Sequence, residues 1–524
     1  MRQSIALAAA GAATVQALSL AEMCTVANVQ AALPADGSIP NVTMIASSVS
    51  ASPVYNASLS SGFAKRDTTT YSYCNVTATY THGSDSVIVW YGFPDPSIFE
   101  NRFYVVGGGG YSLSVGVTGG LEYGAVTGCT DAGYDAFTNS LDAVVLNSDG
   151  TLNEQNIKMF SYEALGMSQV QRYGDLYDGI ATGAPAFRQA QQQVLHLFSS
   201  VAEVVQNYFP TNCALDKIVN ATIEACDPLD GRTDGSIIGQ SYACAAETSS
   251  SLGFGFSKRQ AAGSTTTSSP AQNGTINEQD IAIAQTIYDG LFTSSGKRAY
   301  LSFQIGAELE DAVTEYDNTT GAYTYEIPNT GGVFVAKFLE QIDEDSITTL
   351  ENVDYDTLFE WMEEGLAKFL DTLQTTMPDI SAFRDNGAKL LHYHGESDPS
   401  VPAASSVHYY DSVRTVLYPS LGYNESVAKL DDFYRFFTIP GAAHCNTNSL
   451  QPGPWPNDLV EDSDVPDRLN STVTAGSNEG EVQLLCKWPT RPLWTSETAF
   501  DCVYDQASID SWTYVFDAFN QTIY

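Results

Sequence analysis

Leu390-Leu391-His392-Tyr393-His394-Gly395-Glu396-Ser397-Asp398-Pro399-Ser400-Val401-Pro402 is the stretch on which the reading of this chain turns. Its first half is mainly apolar and aromatic, and a glycine and two prolines follow. That pattern predicts a short buried strand over 389–393 that opens into a tight loop carrying Asp398. The two-residue period of a strand puts His392 and His394 on one face. Metal ligation there is conceivable, but no further ligand nearby completes a cluster, so packed or locally hydrogen-bonded histidines are the expectation.

A second strand signal at 433–439 leads into Gly441-Ala442-Ala443-His444-Cys445. An acid after one strand and a histidine after the next is the order in which an α/β-hydrolase places the carboxylate that orients its general base, here Asp398 and His444. Phe103-Tyr104-Val105-Val106 and Ala143-Val144-Val145-Leu146 also read as short buried strands, and strands interleaved with helical patterns indicate an α/β sheet. Gly107-Gly108-Gly109-Gly110-Tyr111 follows the Phe103 strand at once. Without Cβ atoms, backbone N–H groups at Gly109 and Gly110 can approach a ligand oxygen closely, as an oxyanion hole requires.

Charge and length narrow the function classes. With 62 acidic against 23 basic residues the net charge is −39, which repels nucleic acid and anionic membrane alike. It suits an acid-tolerant extracellular enzyme, or simply a soluble secreted protein. The 524 residues can hold one large catalytic domain with an insertion. Residues 1–17 read as a signal peptide, because the apolar run behind Met1-Arg2 is too short to span a membrane. Asn-x-Ser/Thr sites at Asn41, Asn56, Asn75, Asn220, Asn273, Asn318, Asn424, Asn470 and Asn520 suit a secreted glycoprotein. Residues 245–274 are rich in Ser, Thr, Ala and Gly and read as a flexible segment. Lys258-Arg259 within it is a candidate cleavage site, whereas Lys65-Arg66 reads as solvated charge.

Cys226-Asp227-Pro228-Leu229-Asp230-Gly231-Arg232-Thr233-Asp234-Gly235-Ser236 crowds three carboxylates between glycines that permit sharp turns. Such a loop suits a hard, oxygen-seeking cation such as calcium, although its spacing is not that of an EF-hand. A Cys226–Cys244 disulfide would close it.

Together with Asp178-Gly179-Ile180-Ala181-Thr182-Gly183-Ala184-Pro185-Ala186, these elements resemble the fungal tannase and feruloyl esterase family over nearly all of the chain beyond the signal peptide, and Ser168-Gln169-Val170-Gln171-Arg172-Tyr173 looks closer to the tannases. The resemblance implies a secreted serine-type carboxylic ester hydrolase acting on galloyl or feruloyl esters, or on tannin and plant polysaccharide esters, with no redox cofactor. It implies an α/β-hydrolase core in residues 18–194 and 381–524 and an inserted lid domain in 195–380. It further implies a calcium ion held by the side chains of Asp227, Asp230 and Asp234 and the carbonyls of Arg232 and Ser236.

One part of the family pattern is missing. The nucleophile of the family lies in Gly-Cys-Ser-x-Gly-Gly, whose cysteine bonds to the one after the catalytic histidine, and no such element occurs here. The nearest match, Gly166-Met167-Ser168-Gln169-Val170, lacks the final glycine and follows a helical pattern in Ile157, Phe160, Ala164 and Leu165, so Ser168 reads as an ordinary helix residue and no nucleophile is identified. Leu165 joins directly to Gly166 where the family has a central parallel strand, the nucleophile turn and the next helix's start. Burying the large apolar side chains of such a strand contributes on the order of 10 kcal/mol, against about 5–15 kcal/mol for a whole domain. A gene-model or splicing error therefore explains the junction better than an evolved inactive relative. Nine cysteines agree with it, being an odd number. Cys24–Cys74, Cys226–Cys244 and Cys486–Cys502 are reasonable pairs, with Cys129, Cys213 and Cys445 left over and connectivity open. By the resemblance, Cys445 is the unpaired one whose partner is lost. The competing reading is a non-catalytic, calcium-stabilised phenolic- or polysaccharide-binding relative.

Overall fold

Alternating apolar residues and glycine-rich turns build sheets at both ends of the chain. In the computed structural model the described residues are 19–58, 70–82, 85–113, 116–237, 255–258, 272–456 and 468–524. The signal peptide, Lys65-Arg66, Cys244, Arg259 and residues 245–254 and 259–271 of the Ser/Thr-rich segment lie outside them. The chain divides into two compact units, Met1–Ser140 and Leu141–Tyr524.

In the first unit, β1 (Val42–Ser58), β2 (Thr70–His82) and β3 (Asp85–Pro94) pair antiparallel. The sheet continues through β7 (Ala125–Thr130) to β4 (Arg102–Val105), which runs parallel to β7. Between β4 and β7, β5 (Gly108–Gly109) and β6 (Ser112–Leu113) form a small hairpin. Tyr73, Val117, Leu121 and Cys129 pack together inside, and the Cys24–Cys74 disulfide ties the N-terminal helices to β2. The strand expected at Phe103 forms but is not buried. Phe103 is 62 % and Val105 42 % exposed, because β4 is an edge strand with one neighbour.

The second unit is built on a parallel sheet of β8 (Gly179–Gly183), β13 (Lys389–Gly395) and β14 (Tyr434–Ile439), with β13 central. All of β13 after Lys389 is buried, as its near-continuous apolar run requires of a strand covered on both faces. Leu391, Tyr393, Phe437 and Ile439 form a core with Leu469 and Leu485 from later strands. The helix Glu154–Ala164 buries Ile157 and Phe160 as their spacing predicts, and a second helix, Gly166–Arg172, starts one residue later. Leu165, with φ −87° and ψ 115°, is the only residue between them. Ala143-Val144-Val145-Leu146 is not a strand. Leu141–Ala143 is a 3₁₀ turn, and Leu146 makes a single bridge to Leu152 around a turn at Gly150 (φ 84°), a hairpin too short to propagate a ladder. The Cys486–Cys502 disulfide links two late strands. Among the described residues no helix is long and apolar enough to cross a membrane.

Candidate functional site

Two loops leave the C-terminal ends of β13 and β14 and interlock. Gly395 ends β13 where any Cβ would stand 2.4 Å from the Ala442 carbonyl oxygen, so only glycine lets the β14 loop come so close. The Ser397 N–H then donates to that carbonyl at 3.0 Å, and Gly441 turns the second loop at φ 66°. The turns bring His444 to Asp398, with Nδ1 donating to Oδ2 at 2.8 Å. Asp398 is buried, and its other oxygen accepts the N–H groups of Ser400 and Val401, each at 2.8 Å. A proton on Nδ1 leaves the Nε2 lone pair of the half-exposed His444 free to act as a base.

The electrostatics suit that use. Burial alone would raise Asp398, but the hydrogen bonds and charges of His394 and His444 hold it well below the usual carboxylate range. Burial alone would lower His444, but its hydrogen bond to Asp398 and the charges of Asp398 and Glu310 raise it above an ordinary histidine. His392 and His394 are fully buried and spent on Ser406, Tyr434, Asp398 and Val401 rather than held as open metal ligands.

A second histidine–carboxylate pair near this site was not singled out from the sequence. Nδ1 of His196 lies 2.8 Å from Oδ2 of Asp311; the charges of Asp398 and His444 act on His196, and Glu310, which feels Asp311 and His196, acts on His444. Its only signal was the acidic run Glu308-Leu309-Glu310-Asp311, far along the chain from His196.

The remaining predicted residues are placed as follows. Gly109 and Gly110 belong to the first unit, at the β5–β6 turn, where Gly110 takes φ 60° and a Cβ on Gly109 would meet nothing within 4 Å. Ser168 is buried on the helix Gly166–Arg172, and its hydroxyl accepts from Arg172 Nε at 3.1 Å. Cys445 is a free thiol at φ 51°, pushed up to about 12 by burial, with the charge of Asp398 adding to it. Cys226 is disulfide-bonded, while its expected partner Cys244 lies outside the described residues. Eight of the nine glycosylation sites present an exposed asparagine; Asn75 is half-buried and accepts the Trp90 indole N–H.

The acidic loop turns at Gly231 (φ 99°) and Gly235 (φ 87°). Asp227 accepts the N–H groups of Asp234 and Gly235, both at 3.0 Å, and Asp230 accepts that of Arg232 at 2.9 Å. The second oxygen of Asp230 is buried without any partner, and burial, joined by the charges of Asp234 and Asp227, pushes this carboxyl up to about 7. Burial also raises Asp234, against the Arg232 guanidinium 3.5 Å away. Among the described residues no three acidic, His or Cys side chains converge as a ready-made metal cage. A cation here would therefore draw on backbone carbonyls as well as on the orphaned Asp230 oxygen, a donor set that fits a hard ion.

With the geometry in place, comparison with known proteins is informative. The tannase and feruloyl esterase family matches residues 74–169 and 165–509, two pieces that meet at the Leu165-Gly166 joint. A tannase of Aspergillus oryzae is 52 % identical over 590 aligned positions, covering 100 % of this chain and 99 % of the relative. As the chain has 524 residues, several dozen of those positions have no residue here. A probable feruloyl esterase of Arthroderma benhamiae is 26 % identical, covering 84 % of this chain and 87 % of its own. The solved tannin acyl hydrolase of Aspergillus niger superposes with a TM-score of 0.91 at 40 % identity, over 97 % of this chain and 99 % of that one. Feruloyl esterase B of Aspergillus oryzae shares the fold, with a TM-score of 0.65 at 20 % identity over 91 % of this chain and 100 % of that one.

Proposed function

The chain belongs to the tannase and feruloyl esterase family of carboxylic ester hydrolases, and from that premise we propose that its site is built for serine-type hydrolysis of phenolic-acid esters, galloyl ahead of feruloyl. The observation that carries the reading is the Asp398–His444 pair at the ends of adjacent parallel strands. In the complete arrangement a serine hydroxyl attacks the ester carbonyl carbon and passes its proton to His444 Nε2. The oxyanion that forms is held by backbone N–H groups. Collapse expels the alcohol, which takes the proton from His444. Water then repeats the sequence, releasing the phenolic acid and restoring the serine. Glu310, whose charge acts on His444, and the His196–Asp311 pair are polar groups that could meet phenolic hydroxyls.

We further propose that the segment bearing the nucleophile is lost between Leu165 and Gly166, which leaves hydrolysis by the chain as written doubtful. Three observations support this. The family match breaks into pieces at that joint, two helices meet there across one residue, and among the described residues β4 and β8 each end a sheet beside a parallel neighbour. Calcium would bind Asp227, Asp230, Asp234 and the carbonyls of Arg232 and Ser236, where it supplies a structural clamp on the lid. Secretion accords with the apolar N-terminal run, the sequons and the acidity.

The test begins with mass spectrometry of native protein for a peptide spanning Leu165-Gly166. If it is found, the loss is real, and turnover of methyl gallate and methyl ferulate decides the rest, with His444→Ala as control. Turnover abolished by His444→Ala supports the site. Turnover indifferent to it, or binding without turnover and without fluorophosphonate labelling, sinks the esterase reading for this chain.

A further inference from the structure

Behind Asp398 the hydrogen bonds do not stop. His394 Nε2 lies 3.1 Å from Asp398 Oδ2 and 2.9 Å from the Val401 carbonyl oxygen. Both are acceptors, so Nε2 carries a proton, and in the singly protonated ring Nδ1 accepts. The group facing Nδ1 is the Ser406 hydroxyl at 2.7 Å, which must therefore donate. Ser406 Oγ then accepts, and the atom facing it at 2.9 Å is His392 Nε2, which must be the protonated nitrogen of that ring. His392 Nδ1 is left to accept from the Tyr434 hydroxyl at 2.9 Å. In that state every donor of the chain meets an acceptor. The members are all buried, and they come from β13, β14 and the helix Ala404–Leu417 that packs with them. Burial keeps His392 far below an ordinary histidine, hence neutral, and Tyr434 well above an ordinary tyrosine, hence protonated, as the chain of donors requires.

On the reading of Asp398 and His444 as acid and base, we infer that His394 is a positioning residue. Its Nε2–H, aimed by Ser406, His392 and Tyr434, clamps Asp398 to the Val401 end of its loop and fixes the carboxylate oxygen that His444 shares. It also divides the charge of Oδ2 between two donors, so removing His394 concentrates that charge on His444. Of the other titratable groups, Glu310 acts on His444, His196 feels the charge of His444, and the Cys445 thiol is the next residue in the chain.

The test titrates the histidines of the full-length protein by long-range proton–nitrogen NMR, which reads His444 without any turnover. In His394→Leu the midpoint of His444 rises by half a unit or more. In His394→Asn, which restores an N–H donor, it returns most of the way. In Ser406→Ala the Nδ1 resonance of His394 moves to that of a nitrogen accepting no hydrogen bond. An unchanged His444 midpoint in folded His394→Leu overturns the inference, as does Nδ1 protonation of His394 in the wild type. If His394→Leu does not fold, Ser406→Ala alone decides, since an unmoved Nδ1 resonance breaks the relay. Failure of ester hydrolysis would leave these results standing, so the two readings fail separately.

Discussion

Glu203→Gln offers the sharpest test of the electrostatics of this fold. Glu203 sits on the helix Phe198–Gln206 with no exposed surface, and neither carboxylate oxygen has a partner. Burial pushes it up to about 9 from the ordinary 4.5. In the unfolded chain the group ionises above 4.5, while in the folded chain it keeps its proton until about 9. Across that window the folded state holds a proton that the unfolded state has released, so stability falls as pH rises. Each pH unit costs about 1.4 kcal/mol, which makes the loss from about pH 5 to about pH 7 on the order of 3 kcal/mol. Glutamine keeps the shape and cannot ionise. Its own unpaired amide costs the same at every pH and cancels in the comparison. Urea unfolding of both proteins should show the variant gaining about 3 kcal/mol on the wild type between the two conditions. Parallel pH dependences would refute the argument, because they would mean that Glu203 is ionised and partnered in the folded protein.

Two further outcomes follow from the same physics. With its thiol pushed up to about 12, folded Cys445 should react with iodoacetamide at about pH 8 more slowly than free cysteine, by on the order of a thousandfold. Unfolding in urea should restore the ordinary rate, and equal rates in both states would contradict its burial. If the acidic loop holds calcium, EDTA should lower the thermal midpoint by an amount corresponding to about 2–3 kcal/mol at saturating calcium. Asp230→Asn should remove most of that dependence, and a midpoint indifferent to EDTA in the wild type would rule the site out.

The parts of the site that were legible in the sequence are those written in one local stretch. The run through Asp398 carries its strand, its turn and its carboxylate together, and the glycine-bounded carboxylates of residues 226–236 do the same. The order of Asp398 and His444 could be read because a parallel sheet places successive strand ends side by side. What escaped was non-local. His196 and Asp311 meet only through packing, with no spacing rule to join them. The relay behind Asp398 needs Ser406 and Tyr434 from two other elements, so His392 and His394 showed their shared face but not its purpose. Phe103 and Val105 have the composition of a buried strand, and their exposure depends on what lies beside β4 rather than on β4 itself. The run at 143–146 misled in the opposite way, because apolar content without a partner strand makes only a turn.

In the chain as written, β4 and β8 each end a sheet among the described residues, which bears on association as the net charge does. On β4, Phe103, Tyr104 and Val105 are exposed as well. Such an edge is a template on which another chain can add a strand. At low ionic strength a net charge of −39 keeps molecules apart. Salt near 0.1 M shortens the reach of that repulsion to about 10 Å, and salt near 1 M to about 3 Å, inside the spacing of about 4.8 Å at which strands pair. Added salt, which usually keeps an acidic protein in solution, should here drive it to associate edge to edge.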